Sequence, residues 1–196
     1  MNDVFIITTY VIIDEMMKNL DHKDHVLAHF TDAEIITVAV IAAKYFQNHH
    51  ERALCVLQKM GYFSGRISTS RFNRRLHALA DWLILTLETL GEIAATGDVY
   101  VIDSMPLPVC KRVRARRCRK VHGRDYCGYC AAKKEKFFGW RLHLICSVEG
   151  VPVSFAMLPA GYHDLTPIHE LTFCLPSGSN AYGDKGYISQ SDFDSI

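Results

Sequence analysis

The sequence has no apolar run long enough to cross a membrane. Its longest stretches, Ile35 to Ala43 and Trp82 to Leu87, fall far short of the roughly 18 uninterrupted residues a spanning helix needs. It also lacks a secretory leader. Val4 to Ile13 is apolar, but Asp3 precedes it and Asp14 and Glu15 follow, with neither the basic flank nor the small-residue cleavage site of a signal peptide. A disulfide framework is disfavoured: seven cysteines in 196 residues are odd in number, in a chain long enough to bury a core without staples, and so read as thiols or metal ligands. The absence of any repeat excludes a solenoid. With 49% hydrophobic and 22% charged residues, the composition is outside the range of chains that stay unfolded. These absences predict a cytoplasmic globular protein, with room for one full domain and a smaller one.

Net charge is nearly absent as well, at +1, but the charges are segregated. Residues 1–110 hold 9 basic and 13 acidic side chains, residues 111–141 hold 12 and 2, and residues 142–196 hold 1 and 6. Within the middle block Lys111, Arg112, Arg114, Arg116, Arg117, Arg119 and Lys120 crowd together. Such cations repel one another unless a polyanion offsets them, and nucleic acid is the obvious one; a solvated loop without a partner is the plain alternative.

The first 96 residues read as helical. Thr31 and Glu34 form a capping box that opens a helix running to about Phe46. Ser68 or Ser70 caps a long helix whose Phe72, Leu76, Leu79, Leu83 and Leu87 share one face. Arg71, Arg74 and Arg75 share another, either a solvated surface or a face for DNA phosphates.

After Gly97 the period changes from 3.6 to 2. Val99 to Ile102 is a short strand closed by Asp103 and stopped by Pro106 and Pro108. Residues Phe137 to Val148 alternate, with Trp140, Leu142, Leu144, Cys146 and Val148 on one face and Arg141, His143 and Ser147 on the other. Trp140 is assigned to the core. Glu149 and Gly150 turn the chain into a second alternating run, Val151 to Met157, completing a hairpin. Asp164 is placed as a backbone cap for a helix over Pro167 to Cys174. Asn180 to Tyr182 is a strand that delivers Asp184, and Ser189 or Ser191 starts a last helix. The fold class is α+β or α/β: a helical DNA-binding region (1–96), then a mixed-sheet domain (97–196) carrying a basic insert at 104–136.

Asp103 and Asp184 each close a short strand. If those strands are neighbours the two carboxylates converge, and such a pair repels itself unless a divalent cation sits between them. Hard oxygen donors with open water positions suit Mg²⁺, and magnesium held by acids serves attack on phosphodiesters. The plain alternative is two aspartates doing turn work.

The stretch Val101 to Cys110 (VIDSMPLPVC), the block Phe137 to Leu165 and the run YGDKGY at Tyr182 to Tyr187 resemble the DDE transposases of bacterial insertion sequences. FTDAEIITVAVIAAKYF and SRFNRRLHAL resemble the helical N-terminal region of that group. The resemblance implies an RNase-H-like fold, two bound divalent ions (Mg²⁺ or Mn²⁺), cleavage at the ends of a mobile element and transfer of the freed 3′-hydroxyl to target DNA. It makes Asp103 and Asp184 the first two catalytic acids and metal ligands, and double-stranded DNA the partner, with a homo-oligomer formed by the full-length protein at the bacterial nucleoid. The third acid of the family, a glutamate on a downstream helix, has no counterpart. Only twelve residues follow Asp184, Asp192 and Asp194 lie too near, and Glu170 lies upstream. The expectation is an incomplete catalytic domain, a truncated product with weak or absent cleavage, or a non-catalytic DNA-binding fragment that competes with the full-length enzyme.

Three further readings complete the expectations. Cys110, Cys118, Cys127 and Cys130 could hold Zn²⁺, although their spacing is not that of paired C-x-x-C knuckles. Lys185 could touch a DNA phosphate. An aspartyl-phosphate phosphatase needs a second acid two residues after its nucleophile, where this chain has Met105.

Overall fold

The computed structural model describes residues 1–63, 65–168, 171 and 175–187. The chain divides into two compact units, Met1–Thr86 and Leu87–Ile196.

The first unit is helical: α1 (Asp3–Asn19), α2 (Asp32–Phe46), α3 (His50–Lys59), α4 (Thr69–Ala78) and the start of α5 (Ala80–Ala94). The capping box forms as its residues dictate. Thr31 Oγ1 accepts from the Glu34 amide at 3.1 Å, and Glu34 accepts from the Thr31 amide at 2.7 Å, a cap of about 1 kcal/mol. Ile35, Ile36, Val38 and Ile41 then enter a core with Ile6, Leu57 and Phe72. The long helix expected beyond Ser68 is two helices. Leu79 caps α4, its amide donating to the Arg75 and Leu76 carbonyls. It stays buried at 5% exposure, so the apolar face survives the break.

The second unit is built on a five-stranded mixed sheet: β1 (Val99–Lys111), β2 (Cys127–Cys130), β3 (Glu135–Ser147), β4 (Pro152–Pro159) and β5 (Asn180–Gly183). β3 pairs antiparallel with β1 on one edge and with β2 and β4 on the other, while β5 runs parallel to β1. The hairpin turns where expected, Gly150 at φ +81°, its amide donating to the Ser147 carbonyl at 2.9 Å. This is the α+β class expected of the chain.

Two expectations for the sheet are corrected. β1 does not stop near Asp103 but runs on through Pro106 and Pro108 to Lys111, paired with β3 throughout. The prolines are two residues apart and therefore face one edge, and β5 ends opposite Ile102, leaving that edge without a ladder for proline to break. A register shift between Pro108 and Cys110 relieves the remainder. Second, the deeper face of β3 is the one bearing His143, Ile145 and Ser147, all buried, whereas Trp140 is half-exposed and Val148 exposed. Tyr100, Ile102, Val153 and Leu171 cluster against Ile145, so the buried face is set by what packs on it, not by its own hydrophobicity. The helices expected over Pro167 to Cys174 and after Ser189 lie largely or wholly outside the described residues.

Candidate functional site

In the parallel ladder Val99 lies beside Asn180, Tyr100 beside Ala181, Val101 beside Tyr182 and Ile102 beside Gly183. The ladder ends there, one residue before Asp103 in β1 and one residue before Asp184, which follows β5. Both residues are exposed. Asp103 sits mid-strand on the open face of β1, between Val101 and Met105, which are 47% and 48% exposed, while Tyr100 and Ile102 are buried on the other face. Its Oδ1 accepts from the Ser104 amide at 2.7 Å.

One 3-10 turn, Lys185–Tyr187, follows Asp184, and the Tyr187 amide donates to the Asp184 carbonyl at 2.9 Å. Tyr187 is thereby folded onto the sheet, where its phenol lies 2.9 Å from Nδ1 of His143. His143 stands opposite Ser104 on β3 and is 1% exposed. Burial lowers its imidazole below the ordinary value, opposed by Asp164 and reinforced by Arg141. The neutral ring meets the phenol through Nδ1, whose role as acceptor or donor is set by the ring's tautomer. The phenol is itself held above its ordinary value, first by burial, with Ser104 bonding opposing and the charges of Asp164 and Asp103 adding.

Among the described residues, the Asp164 side chain bonds Arg141 rather than a backbone amide. It accepts from Arg141 Nη1 at 2.8 Å, and a Cβ on Gly186 would lie 3.2 Å from its Oδ2, so the carboxylate rests against the turn that follows Asp184. The local cap comes from His163, whose Nδ1 accepts from the Leu165 amide at 3.3 Å. The sequence pattern singled out Asp164, as a cap, but not Arg141 and His143 as support for this turn. The available signal was a run of polar residues on one face of an otherwise apolar strand.

The basic insert is ordered as β1, a 3-10 segment Arg112–Arg117, a second 3-10 turn Arg124–Tyr126, and the β2–β3 hairpin. Lys111, Arg112, Arg114, Arg116, Arg117, Arg119 and Lys120 are all exposed, and Lys111 lies 3.6 Å from Glu135. The four cysteines do not close around one ion. Cys110 and Cys118 are hydrogen-bonded to each other, but among the described residues the group of three or more potential ligands within reach of one another is His22, Asp24 and Asp32. β-pairing is the reason: Cys110 and Cys127 both register with Phe138, one from each side of β3.

The arginine face of α4 is divided. Arg71 and Arg74 are exposed, but Arg75 is a clamp, its Nη1 donating to the Phe30 carbonyl at 2.6 Å and its Nη2 to Asp32 at 2.5 Å. His22 bonds the other oxygen of Asp32 at 2.9 Å, so the His22–Asp24–Asp32 group is already engaged by its neighbours.

The family described as Transposase DDE domain matches residues 93–196, over half of the chain. The chain belongs to the DDE transposase family. No curated protein and no solved structure matches it. The matched span covers every strand of the transposase sheet and both aspartates. The function is DNA transposition, with DNA as the partner, and DDE transposases use divalent metal ions. The transposase has no helix, among its described residues, long and apolar enough to cross a membrane. Two exposed carboxylates, each directly after a residue of the β1–β5 ladder's last pair, are the kind of hard oxygen donor such ions prefer, so the donor chemistry fits the metal.

Proposed function

We propose that Asp103 and Asp184 are the first two acids of a metal-dependent site for phosphodiester cleavage and strand transfer at the ends of a bacterial insertion sequence. The parallel register of β1 with β5 supports this reading, because its last pair, Ile102 with Gly183, immediately precedes two acids 81 positions apart in a chain of this family. The mixed sheet around β1 supports the RNase-H-like fold that the resemblance implies.

The two carboxylates would hold Mg²⁺ or Mn²⁺, which when bound supplies an activated oxygen nucleophile and stabilises the leaving oxygen. The Ser104 amide orients Asp103 by holding one of its oxygens. The bond from Tyr187 to His143 and the pair of Arg141 with Asp164 position the turn bearing Asp184. The exposed cations from Lys111 to Lys120 bind the DNA backbone, where each neutralised phosphate adds affinity that salt removes. This work belongs at the nucleoid of a bacterial cytoplasm.

The resemblance implies three acids, and residues 1–196 contribute two by matching position. We therefore expect residues 1–196 by themselves to bind DNA and to cut it weakly or not at all, the loss at an altered metal site being about tenfold to hundredfold at least. Mn²⁺ binding followed by electron paramagnetic resonance tests the site: the Asp103→Asn and Asp184→Asn variants should each weaken binding about tenfold or more. Undiminished binding in both would remove these residues from the metal site. Robust nicking of end-containing DNA, abolished by Asp103→Ala, would show that two acids suffice.

A further inference from the structure

We infer that the N-terminal unit carries a phosphate-binding cleft of its own, formed by Arg66, Arg71 and Arg74 over the loop His25–Phe30, and that its ligand is the DNA backbone. The inference rests on DNA as this chain's partner and adds Arg66, His25 and His29 to the DNA-facing residues that sequence pattern singled out.

The cleft has a volume of about 460 Å³, and its ten lining residues include four arginines, two histidines and no acid. Its shape is held by groups that are themselves satisfied. Arg75 ties α4 to the Phe30 carbonyl and to Asp32. Gly65 passes so near the same loop that a Cβ there would lie 2.5 Å from the His29 carbonyl oxygen, and the Gln58 side chain donates to the Gly65 carbonyl. These interactions set Arg66 on one side of the opening. Ser68 sets the other by capping α4, its Oγ accepting from the Arg71 amide at 3.3 Å, which places Arg71 and Arg74 one turn apart on one face.

Arg66, Arg71 and Arg74 are exposed and, among the described residues, have no ion pair, in contrast to Arg75. Three guanidinium groups around one concavity repel one another until an anion joins them, and their planar forks match phosphate oxygens. His25 accepts from the Leu27 amide through Nδ1 at 3.2 Å, which leaves its Nε2–H as a further donor. The lining has no Tyr or Trp, and its Phe30 is 2% exposed. With no large exposed ring for stacking a base and three guanidinium forks around one opening, the site suits the backbone of a polynucleotide rather than a free nucleotide.

The test is binding of the whole chain to a short DNA duplex across a salt series, with parent and variant compared at equal thermal stability. The triple variant Arg66→Ala, Arg71→Ala, Arg74→Ala should lose about tenfold or more in affinity at low salt, and its log-affinity against log-salt slope should shrink by about 0.9 for each phosphate left without its arginine. Arg74→Glu alone, on an exposed side chain, should move both quantities the same way and serves if the triple variant folds poorly. Variants that bind like the parent, with an unchanged slope, would overturn the cleft while leaving DNA binding intact. A parent that does not bind the duplex would overturn both. Displacement of the duplex by a mononucleotide or inorganic phosphate at millimolar concentration would mark a small-molecule site and overturn the backbone as ligand.

Discussion

Tyr187 Oη lies 2.9 Å from Nδ1 of His143, joining the turn after β5 to the buried face of β3. Because the Tyr187 amide also bonds the Asp184 carbonyl, this single side chain links the position of an exposed acid to a group that is 1% exposed. Tyr187→Phe removes the hydroxyl and leaves a buried imidazole nitrogen without its partner. The expected cost is about 1–3 kcal/mol, read as a lower urea midpoint with an unchanged slope. An unaltered midpoint would mean that the bond has no structural weight.

Stability should depend on pH through His143. Its folded pKa is lowered, chiefly by burial, so the unfolded chain takes up the proton first. The contribution is present above the unfolded value of about 6.5 and is lost as the pH falls from there to the lower folded value. Chemical denaturation of the parent and of His143→Gln across this range should show a steeper acid-side decline in the parent. Parallel curves would exclude His143 as the source.

Arg75 and Arg74 are neighbours in sequence with opposite roles. Arg75→Ala breaks two charge-assisted bonds and leaves the half-buried Asp32 with His22 alone, so a loss of about 2–3 kcal/mol is expected. Arg75→Lys should recover only part of it, because an ammonium cannot bridge Phe30 and Asp32 as a fork does. Arg74→Ala should stay within about 0.5 kcal/mol of the parent. Equal losses at 74 and 75 would contradict the division of the face.

Zinc should be absent. Cys110 is held in register on one side of β3 and Cys127 and Cys130 on the other, so metal analysis of the purified chain should find far less than one zinc per molecule, and a chelator should leave the melting temperature unchanged. Stoichiometric zinc would show that the insert rearranges around the ion.

Neutralising Arg114, Arg116 and Arg117 should weaken duplex binding at every sequence tested and lower the salt slope by about 0.9 for each phosphate no longer neutralised. A sequence-dependent change would point to readout of base edges instead.

Local chemistry decided much of this fold before any tertiary interaction. The capping box at Thr31 and Glu34, the hairpin turn at Gly150 and the strand before Asp184 each depend on a few adjacent residues, and each formed where those residues predicted. Even the candidate acids were legible, as aspartates beside two short apolar runs. What the sequence could not carry was anything set by a distant partner. Pro106 and Pro108 remain in β1 because β5 leaves that edge open; Arg75 turns inward because Asp32 and the Phe30 carbonyl receive it; His143 is buried because Tyr187 and its neighbours cover that face. In each case the deciding energy is a desolvation or a hydrogen bond between residues far apart in the chain, which no local window contains.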